Sequence, residues 1–217
     1  MADELIVPQA GTENNPAVES RVLVLRTCNA DMSSHGGFLW PESGPVEAPD
    51  WSPRPFCGNG LHGFLWGEGD HDLARWDEDA KWLVVSVLGS EIIDLGQKVK
   101  FPRGEVVCCG TRLEATTYLI EHGGRGYAVI GATATAGDRG TATAGYAGTA
   151  TAGEGGTATA GDRGTATAGE GGTILIKRWN GKRYKFSIGY IGEDGLRPDV
   201  AYRLDEQGNF QEASNDH

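Results

Sequence analysis

The stretch from Ala132 to Trp179 decides the fold, and it reads ATATAGDR, GTATAGYA, GTATAGEG, GTATAGDR, GTATAGEG and GTILIKRW. These are six consecutive units of eight residues, and five of them carry the same Thr-Ala-Thr-Ala core. A fixed short period with glycine at both ends of each Thr/Ala run is typical of a solenoid, in which each repeat packs on its neighbours. Alternating β-branched threonine predicts strands with one Thr face and one Ala face, and the glycines between the strands fit tight corners.

The last octad indicates which face of the repeat points inward. Ile174 and Ile176 stand where the second octad has Ala142 and Ala144, and large apolar residues there would close the end of an apolar interior. We therefore expect alanine to face inward and threonine to face solvent. A four-residue strand and a four-residue corner make half a coil, which predicts about 16 residues per coil; a three-sided coil of about 24 residues is the alternative.

The complete chain is predicted to be mainly β. A short two-sheet parallel β-solenoid of TATA octads, with about three 16-residue coils, would be capped by an N-terminal α+β domain and by C-terminal β-hairpins, because open coil ends are sticky edges. The predicted segments are a mobile tail at 1–20, the α+β N-terminal domain at 21–122, the octapeptide-repeat β-solenoid at 123–176, the C-terminal hairpin cap at 177–210 and a tail at 211–217.

Local patterns predict individual elements on both sides of the repeat. The run Arg112–His122 predicts a helix with Leu113, Thr117 and Ile120 on one face, ended by two glycines. After the repeat, the dipeptide Asn-Gly at 180–181 lies between two alternating runs. This arrangement predicts a β-hairpin with a type I′ turn.

The charge of the chain limits which kinds of molecule it can bind. The 217 residues include 30 Asp and Glu against 19 Lys and Arg, a net charge of −11. This charge argues against direct binding to nucleic acids or to anionic membranes, and it leaves a basic host protein as a partner. The N-terminal residues lack the pattern of a signal peptide, and four cysteines, two of them adjacent, favour reduced thiols. We therefore expect a cytoplasmic or virion location rather than secretion.

Three features follow one another along the chain: CGNGLH at 57–62, the octads, and RPDVAYRL at 197–204. In this order they resemble a family of uncharacterised phage and bacterial proteins with an N-terminal Cys-x-x-Gly-Leu/Phe-His domain followed by short Gly/Ser/Thr/Ala repeats. The TATA octads differ from the longer Ser-rich units of that family. The resemblance implies a phage or prophage context and an architecture, and it implies no activity and no catalytic residues.

The main functional hypothesis is a non-enzymatic scaffold or binding protein that recognises a protein partner. An aromatic loop rich in proline and glycine would supply one binding surface, through Trp40, Trp51, Phe56, Phe64 and Trp66. An acidic solenoid edge would supply another, through Asp138, Glu154 and Glu170, which fall one coil apart. The alternative for the aromatic residues is core packing, and for the acidic residues a solvated ladder of turns.

An enzymatic alternative comes from Arg26 and the glycine-rich segment around His62. These features resemble an ADP-ribosyltransferase-like fold that uses a nicotinamide dinucleotide: Arg26 or His62 would hold a pyrophosphate, and Glu91 or Glu105 would orient the ribose. The Arg/Ser-Thr-Ser/Glu-x-Glu pattern of such enzymes is absent. The structural alternative is that the glycines at 58, 60 and 63 build a turn around a hydrogen-bonded histidine.

A metal site has weaker support. Cys57, His62 and His71 are residue types that bind zinc, but no second Cys-x-x-Cys or His-x-x-x-His pair accompanies them. We therefore predict no metal and no cofactor.

The outward threonines give a third functional alternative. Rows with about 6.8 Å along a strand and about 4.8 Å between strands resemble the Thr-x-Thr faces of ice-binding β-solenoids. The residues of these rows are Thr133, Thr135, Thr149, Thr151, Thr165 and Thr167. The structural alternative is that threonine is simply a good exposed strand residue. Identical octads also make strand pairing degenerate, which predicts register slip or self-association through the repeat.

Overall fold

The computed structural model describes residues 20–213. The tails predicted at 1–20 and 211–217 lie outside the described residues except at Ser20 and at 211–213, where Gln211 and Glu212 belong to a strand. The described part is mainly β, as predicted, and its strands form three sheets.

Seven strands and one α-helix make up the N-terminal region. They are β1 (Arg21–Cys28), β2 (Gly44–Glu47), β3 (Leu61–Leu65), β4 (Lys81–Leu88), β5 (Ile93–Asp94), β6 (Val99–Phe101), β7 (Arg103–Gly110) and α1 (Arg112–Leu119). Short 3-10 turns lie at His35–Gly37, His71–Leu73 and Gly89–Glu91. The strands form one antiparallel sheet in the order β2-β7-β4-β1-β3-β6-β5.

The centre of this sheet is covered on both faces. In β4 six consecutive residues, 82–87, are buried, and such a run is typical of a strand without a solvated face. One face packs on Ala115 and Leu119 of α1, and the other packs on Trp40 and Phe101.

The helix α1 begins with a capping box. The Thr111 hydroxyl accepts a hydrogen bond from the backbone N–H of Glu114, while the Glu114 carboxylate accepts one from the backbone N–H of Thr111. Its buried residues are Ala115, Thr116 and Leu119, whereas Leu113 is 60% exposed. The predicted face was therefore wrong, because the sheet contacts a different side of the helix. The helix ends three residues earlier than predicted, and a π-type turn follows at Ile120–Gly124.

No helix within residues 20–213 has the length and apolar character needed to cross a membrane.

The octads contribute six strands to two further sheets. They are β8 (Thr133–Ala136), β9 (Thr141–Thr143), β10 (Thr149–Ala152), β11 (Thr157–Ala160), β12 (Thr165–Ala168) and β13 (Thr173–Trp179). One sheet pairs β8, β10 and β12 in parallel, and the other pairs β9, β11 and β13 in parallel. Thr149 lies opposite both Thr133 and Thr165, so paired strands are two octads apart along the chain, not three.

The C-terminal strands are β14 (Tyr184–Tyr190), β15 (Tyr202–Leu204) and β16 (Phe210–Glu212). β14 pairs antiparallel with β13, while β15 lies beside β12 and pairs with β16. The hairpin between β13 and β14 was predicted, but its turn was not. Trp179 faces Tyr184 across a four-residue loop, which is held because Asn180 Oδ1 accepts backbone hydrogen bonds from Lys182 and Arg183 at 3.0 and 2.9 Å.

The core of the N-terminal region continues into the repeat. Ile130 and Ala132 belong to the same buried cluster as Phe64 of β3. From the second octad, Tyr146 stacks on His71 with ring centroids 3.5 Å apart. This packing joins the first two octads to the N-terminal region.

Candidate functional site

The parallel register brings six threonines of β8, β10 and β12 into two straight rows, which we call the first Thr face. One row is Thr133, Thr149 and Thr165, and the other is Thr135, Thr151 and Thr167. Residues two apart on a strand point to the same side of the sheet, about 6.8 Å apart, and neighbouring strands lie about 4.8 Å apart. The first Thr face is therefore an array with two fixed spacings.

The hydroxyls of the first Thr face have no protein partner. Thr133 and Thr135 are exposed, and the other four threonines are partly exposed. Within residues 20–213 none of the six side chains hydrogen-bonds to another protein group. A surface of regularly spaced hydroxyl and methyl groups is consequently available to water.

The regularity of this face depends on what lies beneath it. The inward residues Ala150, Ala158 and Ala166 are fully buried, so the interior is filled by methyl groups alone. At the corners the backbones of successive coils come close together: a Cβ on Gly161 would lie 2.4 Å from the carbonyl carbon of Gly145. Small residues at both places allow this close packing of strands and corners.

The other sheet of the repeat carries a second Thr face, formed by Thr141, Thr143, Thr157, Thr159 and Thr173. Its last position is Leu175, which breaks one row. Beyond it lies β14, with Tyr190 opposite Thr173 and Ile188 opposite Leu175, both more than half exposed. The candidate residues named from the sequence omitted this face, although the same octads carry its signal.

Backbone hydrogen bonds join the corners that carry Asp138, Glu154 and Glu170. The N–H of Arg139 donates to the carbonyl of Glu154 at 2.7 Å, and that of Gly155 donates to the carbonyl of Glu170 at 2.8 Å. Asp138 Oδ1 also accepts a hydrogen bond from the N–H of Glu154 at 3.1 Å. Asp138 therefore contributes to the turn itself.

The five aromatic residues of the predicted binding loop do not share one surface. Trp40 and Phe64 are buried in different core clusters on the two faces of the sheet, and Trp51 and Trp66 are partly buried. Phe56 is 70% exposed. Packing accounts for most of this set.

The structure brings together only part of the predicted catalytic set. Arg26 and His62 line the same cavity, and Arg26 Nη1 donates to the His62 carbonyl at 3.3 Å. Glu91 instead forms an ion pair with Arg103 and lines a different cavity together with Glu105. Neither candidate acid faces Arg26 and His62.

The three weak candidates for metal ligands are also divided. Cys57 and His62 line one cavity, but His71 stacks on Tyr146 elsewhere. Across residues 20–213 the one group of three potential ligands is Asp70, His71 and Asp72, and Asp70 already accepts a hydrogen bond from the backbone N–H of Asp72. The proposed Cys57, His62 and His71 set does not converge.

Comparison with known proteins adds two findings. Residues 22–121 match the family described as "Domain of unknown function (DUF7666)". Ice nucleation protein InaU of Pantoea ananas is 41% identical over 106 residues, which are 48% of this chain and 10% of that protein. An ice nucleation protein of Pseudomonas fluorescens is 44% identical over 104 residues, 47% of this chain and 9% of that protein. One of Pseudomonas syringae is 43% identical over 101 residues, 46% of this chain and 9% of that protein. The chain thus spans about a tenth of the length of these relatives. No solved structure matches it.

These relatives overturn the main functional hypothesis. The prediction of a phage or prophage scaffold that binds a protein partner is wrong, because the similar proteins are bacterial ice nucleation proteins. The cytoplasmic or virion location, which was predicted from the missing signal-peptide pattern and the cysteines, is also wrong, because the similar proteins are ice nucleation proteins. The relatives favour the ice-binding alternative over both the scaffold and the ADP-ribosyltransferase-like enzyme.

Proposed function

We propose that this chain is an ice-binding protein that orders water through the first Thr face. The observation that carries the proposal is the in-register pairing of β8, β10 and β12, which repeats one Thr-x-Thr unit at fixed spacings. Because the six hydroxyls have no partner within residues 20–213, each can bind water. Waters held in rows by a flat array form a patch whose order is set by the protein.

The proposal rests on the octads forming a β-solenoid. Paired strands two octads apart, alternating between two sheets, support coils of 16 residues with threonine outside and alanine inside. Three such coils make a rod about 14 Å long, at about 4.8 Å for each strand spacing. The N-terminal sheet and the β14 and β15–β16 strands lie against the two ends, which supports the inference that they act as caps.

The first Thr face is favoured over the second for two reasons. Its two rows have threonine in all three strands, whereas Leu175 interrupts the second face. The second face also adjoins the bulky exposed side chains of β14, where Tyr190 lies opposite Thr173 and Ile188 lies opposite Leu175. A flat ice surface would contact the first face without this obstruction.

The size of the array limits what one molecule can do. The relatives are named for ice nucleation, and this chain spans about a tenth of their length. Nucleation needs a large template, because a small patch of ordered water is unstable. We therefore expect a single chain to bind existing ice and to nucleate weakly, and association of copies to enlarge the array.

The test is thermal hysteresis measured by osmometry at millimolar protein, together with droplet freezing. The wild type is expected to show hysteresis, and Thr151→Tyr to lose most of it, because a ring in the middle strand separates ice from both rows. Thr159→Tyr places the same ring at the matching position of the second face and is the control.

Two further results would refine or reject the proposal. A chain lacking 149–164 keeps the register but has one strand fewer on each face, and its hysteresis is expected to fall while its far-UV circular dichroism retains β structure. Absence of hysteresis in the wild type at millimolar concentration would reject ice binding. If Thr159→Tyr were the damaging change and Thr151→Tyr harmless, the second face would be the binding surface.

A further inference from the structure

The N-terminal sheet contains a cavity that the ice-binding proposal does not use. It has a volume of about 540 Å³ and is lined by Arg26, Trp40, Gly58, Gly60, His62 and Lys98, among others. A neighbouring cavity of about 240 Å³ shares three of these residues and adds Arg75. The larger volume falls within the range of roughly 300–1,000 Å³ that is usual for small-molecule sites.

The charge of this cavity is opposite to that of the chain. Acidic residues outnumber basic ones by 30 to 19 over the whole sequence. Arg26 and Lys98 line the cavity, however, and Lys100 is buried behind its wall, where it donates to the carbonyl of the lining residue Gly58. None of the three forms an ion pair with a carboxylate of residues 20–213. Asp50 is the single acidic residue among the described residues that line the larger cavity. Cations concentrated in this way attract an anion.

Lys100 is a buried positive charge beside the cavity. Its side chain is 1% exposed, and its ammonium group donates to the carbonyls of Phe56 and Gly58 at 3.0 and 3.3 Å. The same nitrogen lies 5.5 Å from the centre of the Trp51 ring. The ammonium group of Lys100 is therefore surrounded by uncharged groups, namely two backbone carbonyls and an aromatic ring. A buried cation without a counter-ion is unfavourable, so an anion nearby would stabilise it.

Arg26 has hydrogen-bonding capacity left over. Its Nε is buried and has no hydrogen-bond partner within residues 20–213. The guanidinium lies over the Trp40 ring at 5.4 Å, and Nη1 makes a long bond to the carbonyl of His62. Burial lowers the pKa of Arg26, so the charged form is poorly compensated. Guanidinium groups bind phosphate and carboxylate through pairs of N–H donors, which is the interaction missing here.

The pKa of His62 is shifted by the same cluster of positive charges. Burial, followed by the positive charges of Lys98, Arg26 and Lys100, lowers its pKa from 6.5 to about 4. At neutral pH the ring is neutral, and Nε2 accepts a hydrogen bond from the N–H of Gly58 at 3.4 Å. An anion in the cavity would offset the nearby cations and would raise the pKa of His62.

We propose that this cavity binds a small phosphate-bearing anion, held by Arg26 and Lys98 beside the neutral His62 ring. Several converging cations suit the charge of a phosphate better than that of a single carboxylate. Gly58, where a Cβ would meet nothing within 4 Å, leaves the backbone open to close approach by a ligand. The proposal concerns binding and includes no chemical step, because neither Glu91 nor Glu105 reaches this cavity.

Binding is tested by isothermal titration with inorganic phosphate, with phenyl phosphate and with acetate, in buffers matched in ionic strength with chloride. Phosphate or its ester is expected to bind, and acetate to bind much more weakly. Arg26→Met and Lys98→Gln are each expected to weaken phosphate binding about tenfold or more, since charge-assisted hydrogen bonds are lost. Arg183→Met, at an exposed arginine of the β13–β14 loop, is expected to bind like the wild type.

A second readout is the NMR titration of His62, assigned with His62→Gln. Phosphate is expected to raise its pKa in the wild type and to leave it unchanged in Arg26→Met. Urea unfolding serves as the folding control: Arg26→Met should be as stable as the wild type or more stable, because it removes a buried donor without a partner. Equal binding of phosphate and chloride, or an unchanged His62 pKa under saturating phosphate, would overturn the proposal. If Arg26→Met does not fold, Lys98→Gln alone decides.

Discussion

The N-terminal sheet and the octad repeat fill their interiors in opposite ways. In the sheet, large side chains such as Trp82, Leu83 and Phe101 are 2% exposed or less, and the sequence has no repeat. In the repeat, every inward position from Ala142 to Ala168 is alanine, and the corners are glycine. The sheet is stabilised by the volume of its side chains, whereas the repeat is stabilised by the close approach of its backbones.

This difference teaches which substitutions each region can accept. In a core of large side chains, removing atoms leaves a cavity and loses contacts. In a core of methyl groups, removing atoms changes little, but adding them forces the two sheets apart. The two regions should therefore respond to opposite kinds of mutation.

The largest effect is expected from Phe101→Ala in β6. The ring is fully buried, so its loss should lower the free energy of unfolding of the N-terminal region by about 3–5 kcal/mol. Urea denaturation followed by circular dichroism measures this change. Phe56→Ala is the matched control, because its ring is 70% exposed, and its effect should stay within about 0.5 kcal/mol. Similar losses for the two variants would contradict the account of the sheet.

The next effect is expected in the repeat, from Ala158→Leu in β11. The Ala158 side chain is fully buried and faces a core of other alanines, so three added carbons should destabilise the repeat by about 1–3 kcal/mol or more. Thr159→Val, one residue along on the outer face, is the control. A well-tolerated leucine at 158 would show that the interior of the repeat is not closely packed, and the comparison between the two regions would fail.

The sequence predicted more of the repeat than of the N-terminal region, for a physical reason. Identical octads impose identical pairing. The eight-residue period therefore predicted that Thr151 and Ala150 point to opposite faces of the strand and that Asp138 lies beside Glu154. Ile174 identified the inward side because one large residue stood in an alanine position. The second Thr face could have been predicted by the same argument.

The N-terminal region depends on contacts between residues far apart in the chain. Gly63 was interpreted as part of a turn, but it lies inside β3, where a Cβ would be 2.4 Å from Val24 Cγ1 and 2.6 Å from the carbonyl oxygen of Leu25. A glycine required by a neighbouring strand has the same local sequence signal as a glycine required by a turn. The cavity was missed in the same way, since Lys98 and Lys100 join Arg26 only after β3 and β6 pair.

The last effect is a pH dependence that only the N-terminal region should show. The His62 pKa is about 4 in the folded protein and close to the usual 6.5 in the unfolded chain. Between these values the unfolded state binds the extra proton, so stability rises with pH. This contribution of His62 to the free energy of unfolding is fully present above about pH 6.5 and is lost progressively as the pH falls towards about 4.

Urea unfolding at pH 7.5, 6, 5 and 4 measures how steeply the free energy of unfolding changes with pH. His62→Gln should reduce this slope for the N-terminal region and leave the unfolding of the repeat unchanged, because no octad residue lines the two cavities around His62. An equal slope in the variant would show that acidic groups elsewhere cause the pH dependence. It would also show that the surrounding cations do not lower the pKa of His62.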